Sequence, residues 1–248
     1  MDMKIKDDFV KLWKKYFKGA ELPVVFYYTD NVKGVEGAKK ASEHRCFICD
    51  LAKVRKGKPL AFGVESVACN GGKRYLGFTT EIMPDFEYFL SCGIPGRLDG
   101  ERYKKSPELV KESMKKFKDF KAPEEYVVFK RWDSIEEGDE PEVVIFFAVP
   151  DVLSGLFTLA GFDEADPNMV FTPFAAGCGS IVHYPYLEKD AENPRAVIGM
   201  FDVSARPCVP KEVLTFAVPM KKFVKMVKNM DESFLITGSW DMVRKRIG

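Results

Sequence analysis

The sequence predicts an α+β fold, with helices and strands mixed in a single compact domain over residues 1–248. Its composition is 46% hydrophobic and 13% aromatic, which is enough to build a large core in a chain of 248 residues. Short β-type runs alternate with apolar stripes at helical spacing. Because no long linker separates these elements, we expect them to share one core.

The first predicted elements are a helix at residues 5–18 and a strand that begins at Pro23. The apolar face of the helix is formed by Phe9, Leu12, Trp13 and Tyr16. Gly19 ends the helix, because glycine readily adopts the backbone conformation found at helix C-termini. The strand has the sequence PVVFYYT, rich in β-branched and aromatic residues.

The middle of the chain contains weaker signals. A second strand is predicted at residues 60–68, and a further strand at residues 126–130. Between them, Ser106 and Pro107 are typical of a helix start, and an amphipathic helix is expected to run to about Lys118. Near the C-terminus, residues 196–205 resemble a strand, and a last short helix is predicted from Ser239.

The tetrapeptide FAVP occurs twice, at residues 147–150 and 216–219. Each copy ends a β-type run, at residues 143–149 and 213–218, and each is followed by an apolar helical stripe. Proline stops a strand and can open a helix, because its missing N–H is not needed in a first turn. The pattern predicts two strand-proline-helix units, and it leaves open whether they are two related halves or a coincidence.

The apolar segment at residues 143–162 is long enough to resemble a membrane span. Asp151 lies near its middle, where burial in lipid would cost roughly 3 kcal/mol. Together with Pro150, this charge favours a strand and a helix in a protein core. We therefore expect no membrane span here.

Charge and the N-terminal sequence disfavour several functions. Lys and Arg number 38 against 37 Asp and Glu, a formal charge of +1, so no long-range field attracts nucleic acid or an anionic membrane. The N-terminus, MDMKIKDDFVKLWKKYFKG, lacks the uninterrupted apolar stretch of a secretory signal. We expect a cytoplasmic, soluble protein that binds neither nucleic acid nor membrane. Its six cysteines should then be reduced thiols, metal ligands or catalytic groups.

Three separate segments carry a candidate cysteine site: HRCFICD at residues 44–50, ACNGG at 68–72 and AGCGS at 176–180. Thiolate and imidazole are ligands of zinc and of iron–sulfur clusters. The glycines would let the backbone approach a cluster or anion closely. The predicted cofactor is an iron–sulfur cluster or zinc. Its candidate ligands are Cys46, Cys49, Cys69 and Cys178, with His44 or His183 as substitutes.

Other interpretations remain open for the same residues. The cysteines can simply pack as small hydrophobic side chains. Alternatively, the protein is a thiol-dependent enzyme, with Cys46 activated by Arg45 for thiol–disulfide exchange or Cys178 acting as a nucleophile. A third hypothesis is a small-molecule binding module lined by some of the 21 phenylalanines. We interpret Cys92 and Cys208 as structural, because neither has a histidine or a second cysteine near it in the sequence.

Four segments resemble domain-of-unknown-function family 169, an uncharacterised family of bacterial and archaeal proteins. These segments are RCFICDLAKVRKGK, VACNGGKRYLGF, AAGCGS and LTFAVPMKKFVKMVKNM. The resemblance extends over nearly the whole chain and leads us to expect a cysteine at Cys46, a Cys-x-Gly-Gly at Cys69 and a glycine-rich segment near Cys178. Cys49 and Asn70 depart from the commoner pattern. The resemblance implies a cytoplasmic protein without an assigned reaction.

Overall fold

A computed structural model describes residues 2–37 and 46–247, and its main element is one mixed sheet. The strands are β1 Val24–Thr29, β2 Glu36–Gly37, β3 Leu60–Phe62, β4 Tyr126–Arg131, β5 Val143–Ala148, β6 Val170–Phe171, β7 Ala196–Gly199 and β8 Leu214–Pro219. The α-helices are α1 Met3–Tyr16, α2 Leu51–Arg55, α3 Asn70–Tyr75, α4 Phe86–Phe89, α5 Pro107–Lys115, α6 Pro150–Ala160, α7 Tyr184–Glu188, α8 Met220–Asn229 and α9 Gly238–Arg244. The predicted α+β class is confirmed.

The strand order of the sheet is β2-β3-β4-β1-β5-β8-β7-β6. The edge pairs β2·β3 and β6·β7 are parallel, and every other neighbouring pair is antiparallel. The two halves of the sheet therefore have the same strand order from the centre to the edge: β1, β4, β3 and β2 in one half, and β5, β8, β7 and β6 in the other. The halves meet at the antiparallel pair β1·β5, where Val24 is the partner of Ile145.

The sheet separates two hydrophobic cores. The front core includes Val24, Phe26, Phe47, Ile48, Val143, Ile145, Phe147, Ile181 and Val182. The back core includes Phe9, Trp13, Val25, Val144, Phe146, Phe216, Val218 and Phe223. Successive residues of β5 alternate between the two cores, as a strand buried on both faces requires.

Both strand-proline-helix units predicted from FAVP are confirmed. Pro150 is the first residue of α6, and Pro219 ends β8 immediately before α8. The two strands are antiparallel neighbours, with Val143 opposite Pro219, and both helices contribute to the back core. However, β5 and β8 belong to the same half of the sheet. The FAVP units are thus not the two halves that the structure repeats.

Two predicted strands are shorter than expected. The strand predicted at residues 60–68 ends at Phe62, because Ser66 exchanges hydrogen bonds with the backbone of Gly63 at 2.9 and 3.0 Å and closes a turn. The strand predicted at residues 196–205 ends at Gly199, because Met200 has a φ of 69°, which no extended strand accommodates.

The helix predictions are correct in place and differ at their ends. α1 begins two residues early, where Asp2 accepts a hydrogen bond from the Lys4 amide at 2.9 Å. α5 begins after Ser106 as expected but ends at Lys115. α9 begins at Gly238, because the hydroxyl of Thr237 caps it.

The apolar segment at residues 143–162 consists of β5 and α6 and contains no membrane-spanning helix. More generally, every helix within residues 2–37 and 46–247 is too short or too polar to span a bilayer.

The packing of α6 against the back core provides a stability test at Gly155. A Cβ atom at this position would lie 2.5 Å from Trp240 Cη2 and 2.7 Å from Phe17 Cε1, and both rings are buried. We expect Gly155→Ala to lower the free energy of unfolding by roughly 1–2 kcal/mol, since overpacking outweighs the gain in helix propensity.

Gly161→Ala is the matched control at the end of the same helix, where the nearest atom to a new Cβ is Thr158 O at 3.9 Å. Urea denaturation of both variants measures the difference. Equal stability of the two variants would contradict the close packing of α6 against Trp240.

Candidate cysteine site

Cys178 lies at the start of the helical connection between β6 and β7. It immediately precedes a π-helical turn, Gly179–His183, which continues into α7. The neighbouring glycines allow close packing: a Cβ on Gly177 would lie 2.8 Å from Ile48 Cδ1, and one on Gly179 would lie 2.7 Å from Tyr75 Cε1. The Cys178 side chain is buried in the front core.

Cys46 lies in the corresponding connection of the other half, between β2 and β3. It is the N-cap residue of a single 3-10 turn, Phe47–Cys49, which leads into α2. Phe47 and Ile48 are buried in the front core, and Cys46 packs against that core while remaining partly exposed. The burial of Phe47 and Ile48 thus fixes the position of this turn on the sheet.

Cys69 follows β3 and is the N-cap residue of α3. Its sulfur accepts a hydrogen bond from the Gly72 amide at 3.4 Å. A Cβ on Gly72 would lie 3.0 Å from Val67 Cγ1 and 3.7 Å from Phe47 Cδ1, so this turn packs next to the Cys46 turn. The absence of side chains at Gly71 and Gly72 allows this close approach.

Cys46, Cys69 and Cys178 lie on segments that pack together, since a Cβ on Gly72 would lie 3.7 Å from Phe47 Cδ1 and one on Gly177 would lie 2.8 Å from Ile48 Cδ1. Burial raises the pKa of Cys178 well above its usual value, and the charges of Cys46, Cys69 and Asp202 raise it further. Burial also raises the pKa of Cys46, again with contributions from Cys69 and Asp202, whereas the Ile48 amide acts in the opposite direction. The structure thus brings Cys46, Cys69 and Cys178 into one region, although they are far apart in the sequence. We call them the thiol trio.

Asp202 holds two segments of this region together by hydrogen bonds. Its carboxylate accepts hydrogen bonds from the Gly177 amide at 3.0 Å and from the amide and hydroxyl of Ser204 at 3.0 and 2.9 Å. It therefore ties the loop after β7 to the turn that carries Cys178. The sequence contains Asp202 as one carboxylate among many, and no local spacing distinguishes it.

Cys49 does not join the thiol trio, because it forms a disulfide with Cys208 across 159 residues. This corrects two expectations: that all six cysteines are reduced thiols, metal ligands or catalytic groups, and that Cys49 is one of the ligands. The disulfide joins the Cys46 turn to a 3-10 turn, Arg206–Cys208, beyond Asp202. No local pattern could reveal it, since the contact depends on the packing of the two halves. Cys92 is exposed and free, outside the trio.

His183 lies among aromatic rings and not among the thiols. Its ring stacks on Phe117 at a centroid distance of 4.4 Å and contacts Tyr75, Phe120 and Tyr184 at 5.1–5.5 Å. In the described part of the chain neither ring nitrogen makes a hydrogen bond of good geometry, although the Lys118 backbone lies near enough to favour the protonated ring. The other candidate histidine, His44, lies outside the described residues.

The arrangement defines the chemistry that this region can support. In the described residues, no three His, Cys, Asp or Glu side chains form a group suited to a single metal ion. A second region, a cavity of about 310 Å³ lined by Lys6, Lys130, Asp133 and Glu136 among others, is polar and contains none of the phenylalanines expected of an aromatic pocket. We therefore take the thiol trio as the candidate site.

The chain is thus an α+β protein whose sheet has two similar halves and carries on its front face one buried cysteine, Cys178, and two partly buried ones, Cys46 and Cys69. Residues 14–229 match domain-of-unknown-function family 169, described as "Uncharacterised ArCR", and the chain belongs to this family. No curated protein and no solved structure matches the chain.

The buried imidazole of His183 predicts a dependence of stability on pH. Burial lowers its pKa from 6.5 to about 4, while Asp119 and the Lys118 backbone act in the opposite direction. Below pH 6.5 the unfolded chain therefore binds a proton that the folded protein excludes. The free energy of unfolding should fall between about pH 6.5 and pH 4, by at most roughly 3 kcal/mol from this group.

His183→Leu removes the titrating group and keeps a side chain of similar size. Its stability should lose less than that of the wild type when the pH is lowered from 7 to 4.5, as measured by urea denaturation at both pH values. Parallel losses in the two proteins would show that His183 does not carry the effect.

Proposed function

We propose that the protein binds an iron–sulfur cluster through the thiolates of Cys46, Cys69 and Cys178. The observation that carries this proposal is that the three segments with these free cysteines pack together: a Cβ on Gly72 would lie 3.7 Å from Phe47 Cδ1, and one on Gly177 would lie 2.8 Å from Ile48 Cδ1. Clusters of this kind are held by cysteine thiolates, and three such ligands leave one iron free to take another ligand.

The equivalent positions of Cys46 and Cys178 support a shared role. Each lies in the connection between the two parallel edge strands of its half, next to a helical turn, and both connections pack in the front core. A cofactor ligated from both would join the two halves of the sheet. Cys69 adds a third ligand from the segment that follows β3.

The choice of cysteine at two helix starts also supports a role for sulfur. Cys46 and Cys69 occupy N-cap positions, where Ser, Thr, Asp or Asn would satisfy backbone amides better. The amide of Gly72 already points at the Cys69 sulfur. Hydrogen bonds to cysteine sulfur tune the reduction potential of iron–sulfur clusters, so this contact would have a function in the holoprotein.

We favour a cluster over a single zinc ion. Zinc gathers four ligands around one centre at about 2.3 Å, and the described residues contain no group suited to a single ion. In a cubane cluster each thiolate binds a different iron, so the ligands lie further apart. The iron atoms would also offset the mutual repulsion of the three thiolates.

A thiol nucleophile is less well supported. Reactive cysteines have lowered pKa values and lie near positive charge or at helix N-termini. Burial instead raises the pKa values of Cys46 and Cys178, and Arg45, the residue expected to activate Cys46, lies outside the described residues. Without a metal, these two thiols stay protonated and weakly reactive near neutral pH.

The first experiment is anaerobic purification and reconstitution with iron and sulfide, followed by iron, sulfide and zinc analysis and visible and EPR spectra. We expect about three to four iron atoms per chain and the broad visible absorbance of a cluster. Stoichiometric zinc would favour the zinc alternative. Protein with neither metal nor cluster would mean that the thiols only pack in the core.

Single substitutions identify the ligands. Cys46→Ala, Cys69→Ala and Cys178→Ala should each lower the iron content and cluster absorbance by more than half, because two thiolates hold a cluster poorly. Cys92→Ala is the matched control and should retain both, since Cys92 is exposed and outside the trio.

Circular dichroism of each apoprotein shows whether the variant is folded. A folded Cys69→Ala protein with the full iron content would exclude Cys69 as a ligand, and the same criterion applies to the other two.

A further inference from the structure

The cavity of about 310 Å³ lies on the back face of the sheet, whereas the thiol trio lies on the front. We infer that this cavity binds a free α-amino acid with an apolar side chain, its carboxylate beside the ammonium of Lys6 and its amino group beside the carboxylate of Glu136. The volume is at the lower end of the range for small-molecule sites, about 300–1,000 Å³. This site is independent of the cysteines.

The cavity occupies a part of the back face that the long helices leave open. Phe129 of β4 enters the front core, so its neighbour Lys130 points to the back. There α1, α6 and α8 pack over β5 and β8, while the back of β3 and β4 carries a small separate cluster that includes Val128. Val35, which packs on this cluster, and Lys6, from α1, both line the cavity.

Lys130 forms a polar wall whose charge is balanced inside the protein. Its side chain is only 4% exposed, and its ammonium donates hydrogen bonds to both carboxylate oxygens of Asp139, at 2.8 and 3.1 Å. The Tyr27 hydroxyl and the Glu136 amide donate to the same carboxylate. The wall thus contains a closed ion pair that needs no ligand.

A second ion pair at the cavity is also closed. Arg131 binds the carboxylate of Asp133 through two nitrogens, each at 2.7 Å. With Lys130 and Asp133 matched in this way, the charged residues that remain in the lining are Lys6 and Glu136. They have opposite signs, so the cavity has no net preference for an anion or a cation.

Lys6 and Glu136 are neighbours that do not pair with each other. The Lys6 ammonium donates a hydrogen bond to the carbonyl of Ile135, the residue before Glu136, at 2.6 Å. Within the described part of the chain, no carboxylate lies within 4 Å of this ammonium. The Glu136 side chain is 81% exposed and contacts Lys130 at 3.3 Å. An ammonium has three donors and a carboxylate several acceptor sites, so both groups retain capacity for a ligand.

An α-amino acid matches this pair of groups. Its carboxylate and ammonium are attached to one carbon atom, so they suit two opposite charges that lie side by side. A simple anion or a simple cation would leave one of the two protein charges unmatched. Val35, Pro59 and Ile135 line the same cavity and offer apolar surface to the ligand side chain. Because Glu136 is exposed, solvent screens its charge and affinities in the millimolar range are expected.

The first test is an NMR titration of the full chain with L-leucine, leucinamide and N-acetyl-leucine. All three have the same side chain, but leucinamide lacks the carboxylate and N-acetyl-leucine lacks the ammonium. We expect saturable binding of leucine and at least about fivefold weaker binding of each analogue, because each loses one charge-assisted contact. Methionine and phenylalanine are titrated as alternative apolar amino acids.

Two variants locate the binding site. Lys6→Gln and Glu136→Gln should each lower the affinity for leucine at least about fivefold, since each removes one charge of the pair. Lys4→Gln and Glu137→Gln are the matched controls and should bind leucine as the wild type does, because both residues are exposed and outside the lining. Circular dichroism shows whether each variant is folded.

Three results would overturn the inference: no saturable binding of leucine, methionine or phenylalanine to the wild type, equal affinity for leucine and its two analogues, or unchanged leucine binding in the folded variants. If Lys6→Gln does not fold, Glu136→Gln decides the last point, because its exposed side chain contributes little to packing.

Discussion

Burial of β5 on both of its faces is the constraint on which the rest of the structure depends. All six residues of Val143–Ala148 are buried, and alternate side chains enter the front and back cores. A strand without a solvent face must be covered on both sides by other parts of the chain. On the back, α1, α6 and α8 supply this cover. On the front, it comes from the connections that carry Cys46 and Cys178.

The repeated strand order explains why residues so far apart meet on the front face. In each half, a short parallel edge pair needs a crossover connection, and both crossovers pack against the same core. The described part of each crossover carries a cysteine and contributes apolar residues, Phe47 and Ile48 in one half and Ile181 and Val182 in the other. The contact between Gly177 and Ile48 shows how closely the two connections approach. The cysteine region is thus a consequence of the sheet topology.

The sequence predicts what depends on neighbouring residues. β1, β5 and β8 are recognisable as runs of β-branched and aromatic residues, and the prolines after β5 and β8 mark the helix starts. The turns at Ser66 and Met200 are not recognisable, because one side-chain hydrogen bond or one left-handed residue decides them. The glycines beside Cys69 and Cys178 distinguish these two cysteines in the sequence as candidate site residues. The disulfide partner of Cys49 is not predictable, since it is set by how the two halves pack.

Charge is what separates a packing role from a cofactor role for the thiol trio. As thiols, Cys46, Cys69 and Cys178 are small and nearly apolar, and their burial costs little. As thiolates, they would repel one another and Asp202 in a region of low dielectric constant. Serine or alanine would fill the same space without the reactivity of a thiol, and serine would cap Cys46 and Cys69 positions better. Under the proposed function, the iron atoms of a cluster would supply the positive charge that three neighbouring thiolates need.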